Sequence, residues 1–223
     1  MQDDLLLADA VLWRGDGAML DPLTLRWQER PSRPTGKARP VSATEAARWV
    51  LTQGGGRRLP VAIIGPREPT PRALADAEAV GRALALLGFP LICGGRGGAM
   101  EAASRGCAAA GGLMIGILPS EDWREANPHV AIPLATGIGE ARNAIIATAA
   151  FALVSVGGRE EPVSYGTISE MAFGLRHGRL VIGMEEAPDL PGVVRCATAE
   201  EAAARVAARY LGLAPPSRAP AAG

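Results

Sequence analysis

The chain has 223 residues, 48% hydrophobic and 21% charged, which suits one sizeable α/β domain with an extension, or two small domains. Lys plus Arg and Asp plus Glu number 23 each, so no basic field attracts nucleic acid or an anionic membrane, and we expect neither as a partner. The three cysteines do not have the spacing of a disulfide framework or a metal site. The N-terminus is too acidic for a signal peptide. The longest apolar run (144–156) is shorter than the ~20 residues that a membrane span needs. We therefore expect a cytoplasmic protein without a metal site.

Residues 1–58 differ from the rest and are predicted to form an N-terminal extension. They hold three of the four tryptophans, Trp13, Trp27 and Trp49, which we interpret as packing anchors. A Pro/Arg-rich linker follows at 29–40, and the pair Ser42 and Glu45 has the spacing of a capping box, which predicts a short helix. At the other end, residues 213–223 are predicted to be a disordered tail.

Residues 59–212 alternate between short apolar runs and segments with helical spacing. β-Branched, continuously apolar runs are typical of strands that are buried on both faces of a parallel sheet. The alternation predicts an α/β fold, a Rossmann-like doubly wound parallel sheet of six or seven strands with helices on both faces. The predicted strands are 61–65, 90–93, 113–118, 129–135, 151–156 and 179–184, with 193–196 as the candidate seventh.

Four of the loops that follow these strands are rich in glycine, which lets the backbone approach a ligand closely. The carboxyl ends of parallel strands meet at one edge of the sheet, and the helices that begin there offer free N–H groups to a phosphate. Neither a P-loop nor the dinucleotide fingerprint is present. The candidate ligand-binding residues are Gly65, Pro66, Arg67, Gly94, Gly95, Gly97, Gly98, Met100, Gly137, Gly139, Arg142, Asn143, Gly157, Gly158, Gly166, Thr167 and Glu170.

Three of these residues have side chains that can bind a ligand or take part in a reaction. Thr167 can donate its hydroxyl to a phosphate at the start of its helix. Glu170, one turn further, can bind a ribose hydroxyl, position a water or stabilise a cationic transition state, or it is only an acidic residue near the positive end of the helix dipole. Arg142 either reaches an anion at the same edge or is a surface arginine. His129 and His177 are interpreted as structural, and Trp123 as either solvated or a lid over the site.

The segments GGRGGAMEAASRGCAAAGGLMIGILP, TGIGEARN and GTISE resemble the LONELY GUY/DprA-like Rossmann superfamily (SLOG). The resemblance covers about residues 59–184 and is strongest for the branch of molybdenum-cofactor carrier proteins and proteins labelled lysine-decarboxylase-like. It implies a homo-oligomer, a dimer or tetramer, whose glycine-rich edge holds a small phosphorylated ligand. A nucleotide or the molybdenum cofactor would be that ligand, and no cofactor would be required.

LONELY GUY enzymes are phosphoribohydrolases with the signature Pro-Gly-Gly-x-Gly-Thr-x-x-Glu and an upstream Arg-Lys. The chain matches this signature at Gly157, Gly158, Gly166, Thr167 and Glu170, and Arg142 matches the catalytic arginine. If the chain is such a hydrolase, Arg142 and Glu170 are its catalytic residues.

Two departures from the signature favour the carrier branch instead. Asn143 stands where the hydrolases have lysine, and residues 159–165 replace a single position. The insertion either displaces the Gly166–Thr167 turn or adds Arg159 and Tyr165 as ligand contacts. The sequence thus predicts a binding or carrier protein for a nucleotide or a pterin-type cofactor. The alternatives are a nucleoside 5′-monophosphate phosphoribohydrolase and a nucleotide sensor whose N-terminal extension binds a partner.

Overall fold

A computed structural model describes residues 4–29, 36–159 and 163–213. The chain divides into two compact units, one from residues 1–57 with 204–223 and one from residues 58–203. Most of the predicted Pro/Arg-rich linker, and the predicted tail from residue 214 onward, lie outside the described residues. No helix within the described ranges is long and apolar enough to cross a membrane.

The smaller unit contains a five-stranded antiparallel sheet that the sequence did not predict. Its strands are β1 (Leu5–Ala8), β2 (Val11–Arg14), β3 (Ala18–Asp21), β4 (Arg26–Glu29) and β5 (Arg39–Val41), in the order β4-β3-β2-β1-β5. Each strand has only three or four residues, so its alternation is too short to stand out from a loop. The extension therefore contains a folded sheet in addition to the predicted tryptophans, while most of the predicted linker lies outside the described residues.

The predicted short helix of this unit is confirmed as α1 (Ala43–Thr52). The Glu45 N–H donates to Ser42 Oγ at 3.2 Å and the Ser42 N–H donates to Glu45 Oε2 at 2.8 Å, which completes the capping box. Trp13 is buried and Trp27 Nε1 donates to the Leu211 carbonyl at 2.7 Å within the same unit. These contacts agree with a packing role for both tryptophans.

The larger unit is built on a seven-stranded parallel sheet. Its strands are β6 (Val61–Ile64), β7 (Leu91–Cys93), β8 (Met114–Leu118), β9 (Ile132–Ala135), β10 (Ala152–Ser155), β11 (Leu180–Gly183) and β12 (Val194–Arg195), in the order β12-β11-β10-β6-β7-β8-β9. The helices are α2 (Pro71–Leu87), α3 (Ala99–Ala109), α4 (Arg142–Ala149), α5 (Tyr165–Arg176) and the start of α6 (Ala199–Tyr210). The predicted Rossmann-like fold is confirmed, and the candidate seventh strand is present.

The strand order places one crevice where the direction of winding reverses. Successive strands run from β6 outward to β9 on one side and from β10 outward to β12 on the other, with β6 and β10 adjacent and fully buried. Ligands of doubly wound sheets bind outside the carboxyl ends of the strands at such a switch point. Two of the predicted loops, after Ile64 and after Ser155, begin there.

Candidate functional site

A cavity of about 270 Å³ lies at the carboxyl edge of the parallel sheet. Seven of its nine lining residues are among those that the sequence singled out. The lining residues are Arg67, Met100, Glu140, Arg142, Asn143, Ser164, Gly166, Thr167 and Glu170. Segments that lie up to about 100 residues apart in the chain therefore contribute to one site.

Three helices begin at this cavity. Met100 is in the first turn of α3, Arg142 and Asn143 begin α4, and Gly166 and Thr167 lie in the first turn of α5. The caps of α3 and α4 make no side-chain hydrogen bond to the helix start. The Ala99 N–H donates to the Pro66 carbonyl, the Thr167 N–H to Ser164 Oγ, and the Arg142 N–H to the Gly139 carbonyl of the short 3-10 turn before α4, so these N–H groups are already paired. The positive ends of the helix dipoles nevertheless lie at the cavity and suit an anion.

The cavity wall contains the neighbouring buried side chains of Arg142 and Glu170. Arg142 Nη1 donates to Glu170 Oε1 at 3.4 Å, and both residues are only 6% exposed. Arg142 Nη2 also lies 4.0 Å from Glu140 Oε2 at the exposed rim. Arg142 Nε is buried and has no hydrogen-bond partner within the described part of the chain. Arg142 is therefore not a surface arginine, and one of its buried donors has no partner among the described residues.

The environment of Glu170 favours its protonated form. Burial raises the pKa of Glu170 to about 8, against the opposing effect of Arg142 and with a smaller contribution from the carboxylate of Glu140. Below that pH the carboxyl group is mostly neutral and can donate a proton or a hydrogen bond. The positive charge of Arg142 then remains largely uncompensated and available to an anion.

Two further polar side chains complete the wall. Asn143 Nδ2 donates to Ser169 Oγ at 3.3 Å, while its buried Oδ1 has no partner among the described residues. The hydroxyls of Ser164 and Thr167 are 2.8 Å apart, and Thr167 is 1% exposed. Asn143 thus offers an acceptor, and the two hydroxyls can act as donors or acceptors.

The seven-residue insertion does not separate Thr167 from the end of β10. The Ser164 N–H donates to the Gly158 carbonyl at 3.2 Å, and Ser164 then caps α5. A Cβ placed on Gly158, which has φ 105°, would lie 3.5 Å from Thr167 Cβ. Arg159 and Tyr165 do not line the cavity, and Tyr165 is 79% exposed. The insertion contributes Ser164 instead, while residues 160–162 lie outside the described residues.

The remaining predicted residues lie in the same four loops without lining the cavity. They are Gly65, Pro66, Gly94, Gly95, Gly97, Gly98, Gly137, Gly139, Gly157 and Gly158. At Gly94 the absence of a side chain matters because a Cβ would lie 2.4 Å from Arg142 Nη1. At Gly98, with φ 72°, a Cβ would lie 2.2 Å from the Arg67 carbonyl oxygen. These glycines admit neighbouring groups into the site.

We expect Gly94→Ala to damage ligand binding more than folding. The three atoms nearest to the added methyl group all belong to the end of the flexible Arg142 side chain, so we expect the stability to stay within about 1 kcal/mol of the original. The guanidinium must move, and we expect the affinity for AMP to fall about tenfold, as titration calorimetry would measure. Gly15→Ala is the control, because Gly15 lies in the unit with the antiparallel sheet and the nearest atom to its Cβ would be Asp4 Cβ at 3.3 Å. Equal affinities of the two variants would contradict this account of Gly94.

Sequence reasoning missed Glu140 and Ser164 in the cavity wall. Glu140 lies inside the quoted segment TGIGEARN, between Gly139 and Arg142, and Ser164 precedes Thr167 by the three residues typical of a helix N-cap. Both signals were therefore visible in the sequence. Trp123 is 57% exposed and does not line the cavity. The described residues contain no group of three His, Cys, Asp or Glu side chains that could hold a metal ion.

The fold and the glycine-rich edge define a protein of the LONELY GUY/DprA-like Rossmann superfamily, as the sequence predicted. The chain belongs to the SLOG cluster4 family, whose profile matches residues 58–209. An uncharacterized protein of Archaeoglobus fulgidus is 39% identical over 142 residues, which are 64% of this chain and 90% of that protein.

Solved structures of similar fold include molybdenum cofactor proteins. The molybdenum cofactor binding protein of Rippkaea orientalis is 33% identical with a TM-score of 0.60, over 66% of this chain and 93% of the other. The molybdenum cofactor carrier protein of Chlamydomonas reinhardtii is 31% identical with a TM-score of 0.62, and the match covers 70% of this chain and 99% of the other.

Proposed function

We propose that the protein binds or carries a small phosphorylated ligand at the cavity on the carboxyl edge of its parallel sheet. The observation that carries the proposal is the convergence of three helix starts on Arg142, a buried arginine with an unpartnered Nε. A phosphate group would form charge-assisted hydrogen bonds with the guanidinium of Arg142 and would gain from the dipoles of the helices.

The charges around the cavity support an anionic ligand. Arg67 and Arg142 contribute two positive charges, and Glu170 is mostly neutral below the pKa of about 8 that its burial produces. Glu140 carries the remaining carboxylate, and its side chain is 71% exposed at the rim, where water screens it. The net field inside the cavity is therefore positive.

The acceptors in the cavity wall support a ligand with a ring as well as a phosphate. Asn143 Oδ1 is buried without a partner among the described residues, and the Glu140 carboxylate lies nearby at the rim. Such acceptors suit the N–H groups of a purine or a pterin. A nucleotide and the molybdenum cofactor both combine these features, and the similarity to molybdenum cofactor proteins favours the second as cargo. We infer no required resident cofactor, and we infer a homo-oligomer from the superfamily resemblance.

A second candidate is the nucleoside 5′-monophosphate phosphoribohydrolase, and the state of Glu170 favours it. A buried carboxyl group with a pKa near 8 is suited to donate a proton at neutral pH. Arg142 would orient the 5′-phosphate and Glu170 would assist departure of the base as the C1′–N bond breaks. Water would add to C1′, leaving ribose 5-phosphate and the protonated base.

One pair of assays separates the two candidates. The protein is incubated with AMP and with an N6-substituted adenosine monophosphate, and the mixture is analysed by chromatography for free base. In parallel, thermal unfolding is recorded with each compound. We expect a raised unfolding temperature without base release. Base release that is lost in Glu170→Gln would favour the hydrolase. If phosphorylated compounds neither stabilise the protein nor react, both candidates are wrong.

A further inference from the structure

Asn127 is a buried residue outside the cavity that holds the glycine-rich loop after β7. Its side chain is 8% exposed, and its Nδ2 donates to the carbonyls of Gly95 at 3.3 Å and Arg96 at 3.0 Å. The Asn127 N–H also donates to the Gly95 carbonyl at 2.8 Å. The His129 N–H donates to Asn127 Oδ1 at 3.1 Å, which fixes the orientation of the amide. Two adjacent peptide groups of the loop are thus held by one side chain.

The geometry of the trans peptide determines where the N–H groups on the opposite side of the loop point. In a trans peptide the carbonyl and the following N–H point in opposite directions. Since the carbonyls of Gly95 and Arg96 face Asn127, the N–H groups of Arg96 and Gly97 face away from it. Neither N–H has an acceptor among the described residues. Successive free N–H groups in a loop with left-handed glycines form an anion-binding concavity.

This concavity adjoins the cavity already described. Gly95 and Gly98 have φ 72°, the left-handed conformation that such a loop requires. The guanidinium of Arg142 lies against Gly94 at the start of the loop, and Met100 lines the cavity just after its end. The buried and partly unpartnered Arg142 is the independent sign that an anion belongs beside this loop.

We propose that Asn127 is a positioning residue for anion binding, holding the peptides of the loop so that the N–H groups of Arg96 and Gly97 bind the ligand's phosphate. The role rests on the proposed function, since it concerns the same phosphate. Ser104 lies beside Asn127 but does not have this role. Its Oγ accepts a hydrogen bond from Asn127 Nδ2 at 3.3 Å and donates one to the Met100 carbonyl at 2.7 Å. Ser104 makes no contact with the loop carbonyls.

The variants Asn127→Ser and Asn127→Asp test the role, with Ser104→Ala as the matched control. Serine is too short to reach both carbonyls, and aspartate repels them. Titration calorimetry with orthophosphate and with AMP should give an affinity at least about tenfold weaker for both Asn127 variants. Ser104→Ala loses a buried hydrogen bond but keeps the loop contacts, so its thermal stability falls while its affinity stays within about twofold of the original.

Amide resonances provide a readout that loss of packing alone would not change. In the unaltered protein, orthophosphate should shift the N–H resonances of Arg96 and Gly97 in a ¹H–¹⁵N spectrum. Absence of these shifts on binding overturns the role of Asn127, even if both Asn127 variants fail to fold. Equal affinities for Asn127→Ser, Ser104→Ala and the unaltered protein also overturn it while leaving the proposed function intact. Failure of the unaltered protein to bind either anion overturns the proposed function, and this role with it.

Discussion

Replacement of Arg142 by methionine is expected to weaken binding of AMP by about 10- to 100-fold at pH 7. Methionine fills much of the same buried space but removes the charge and the hydrogen-bond donors of Arg142, which lines the cavity. Hydrogen bonds between charged groups are among the strongest that a ligand makes, so the loss should exceed that of any uncharged donor in the wall. Titration calorimetry measures the affinity directly.

The same substitution should have only a modest effect on folding at neutral pH. Breaking a buried ion pair usually costs about 3–5 kcal/mol because the remaining charge is left without a partner. Here the remaining group is Glu170, which burial already holds in its protonated form at this pH. Arg105→Met is the matched control, since Arg105 pairs with Glu78 away from the cavity lining. If Arg142→Met and Arg105→Met bind AMP equally well, Arg142 does not hold the ligand.

Replacement of Glu170 by glutamine is expected to change how stability depends on pH. The folded-state pKa of Glu170 is raised to about 8 from its usual value of 4.5, so between these limits the folded protein binds a proton that the unfolded chain has lost. Protonated Glu170 therefore stabilises the folded state fully below pH 4.5, and this stabilisation is lost as the pH rises through about 8. Relative to the unaltered protein, the free energy of unfolding of the Glu170→Gln variant should therefore gain about 1.4 kcal/mol per pH unit across this window.

Urea unfolding at pH 5, 6, 7 and 8 measures this difference. Glu140→Gln is the matched control because the Glu140 side chain lies at the rim and is 71% exposed. Its stability should run parallel to that of the unaltered protein. Parallel curves for Glu170→Gln as well would mean that Glu170 is ionised throughout and forms a true ion pair with Arg142. That result would also remove the observation that favours the hydrolase.

The sequence predicted the parallel sheet because its strands are buried on both faces. Runs such as VAII and ALVS are apolar at nearly every position, and this property does not depend on contacts elsewhere in the chain. The antiparallel sheet was missed because strands such as β4 and β5 are short and largely exposed, and therefore resemble loops. Sheets of this kind are specified by the pairing of the strands more than by the composition of each one.

The sequence singled out most of the cavity lining but did not distinguish residues that line the cavity from residues that shape it. Arg142 and Glu170 were predicted from the signature, and both line the cavity. Gly94 and Gly98 were predicted as ligand contacts, yet they make room for Arg142 and for the Arg67 backbone. Asn127 was not predicted at all, because its contact with the Gly95 carbonyl joins residues 32 positions apart. Such a role depends on tertiary structure.

Hydrogen–deuterium exchange of the full chain with and without AMP tests most directly whether a phosphorylated ligand binds at the glycine-rich edge. The measurement does not depend on oligomer size and reports on every segment at once. We predict slower exchange in peptides that cover residues 94–100, 139–145 and 163–171, and unchanged exchange in residues 4–29. Unchanged exchange throughout, or protection confined to the antiparallel sheet, would contradict the proposed site.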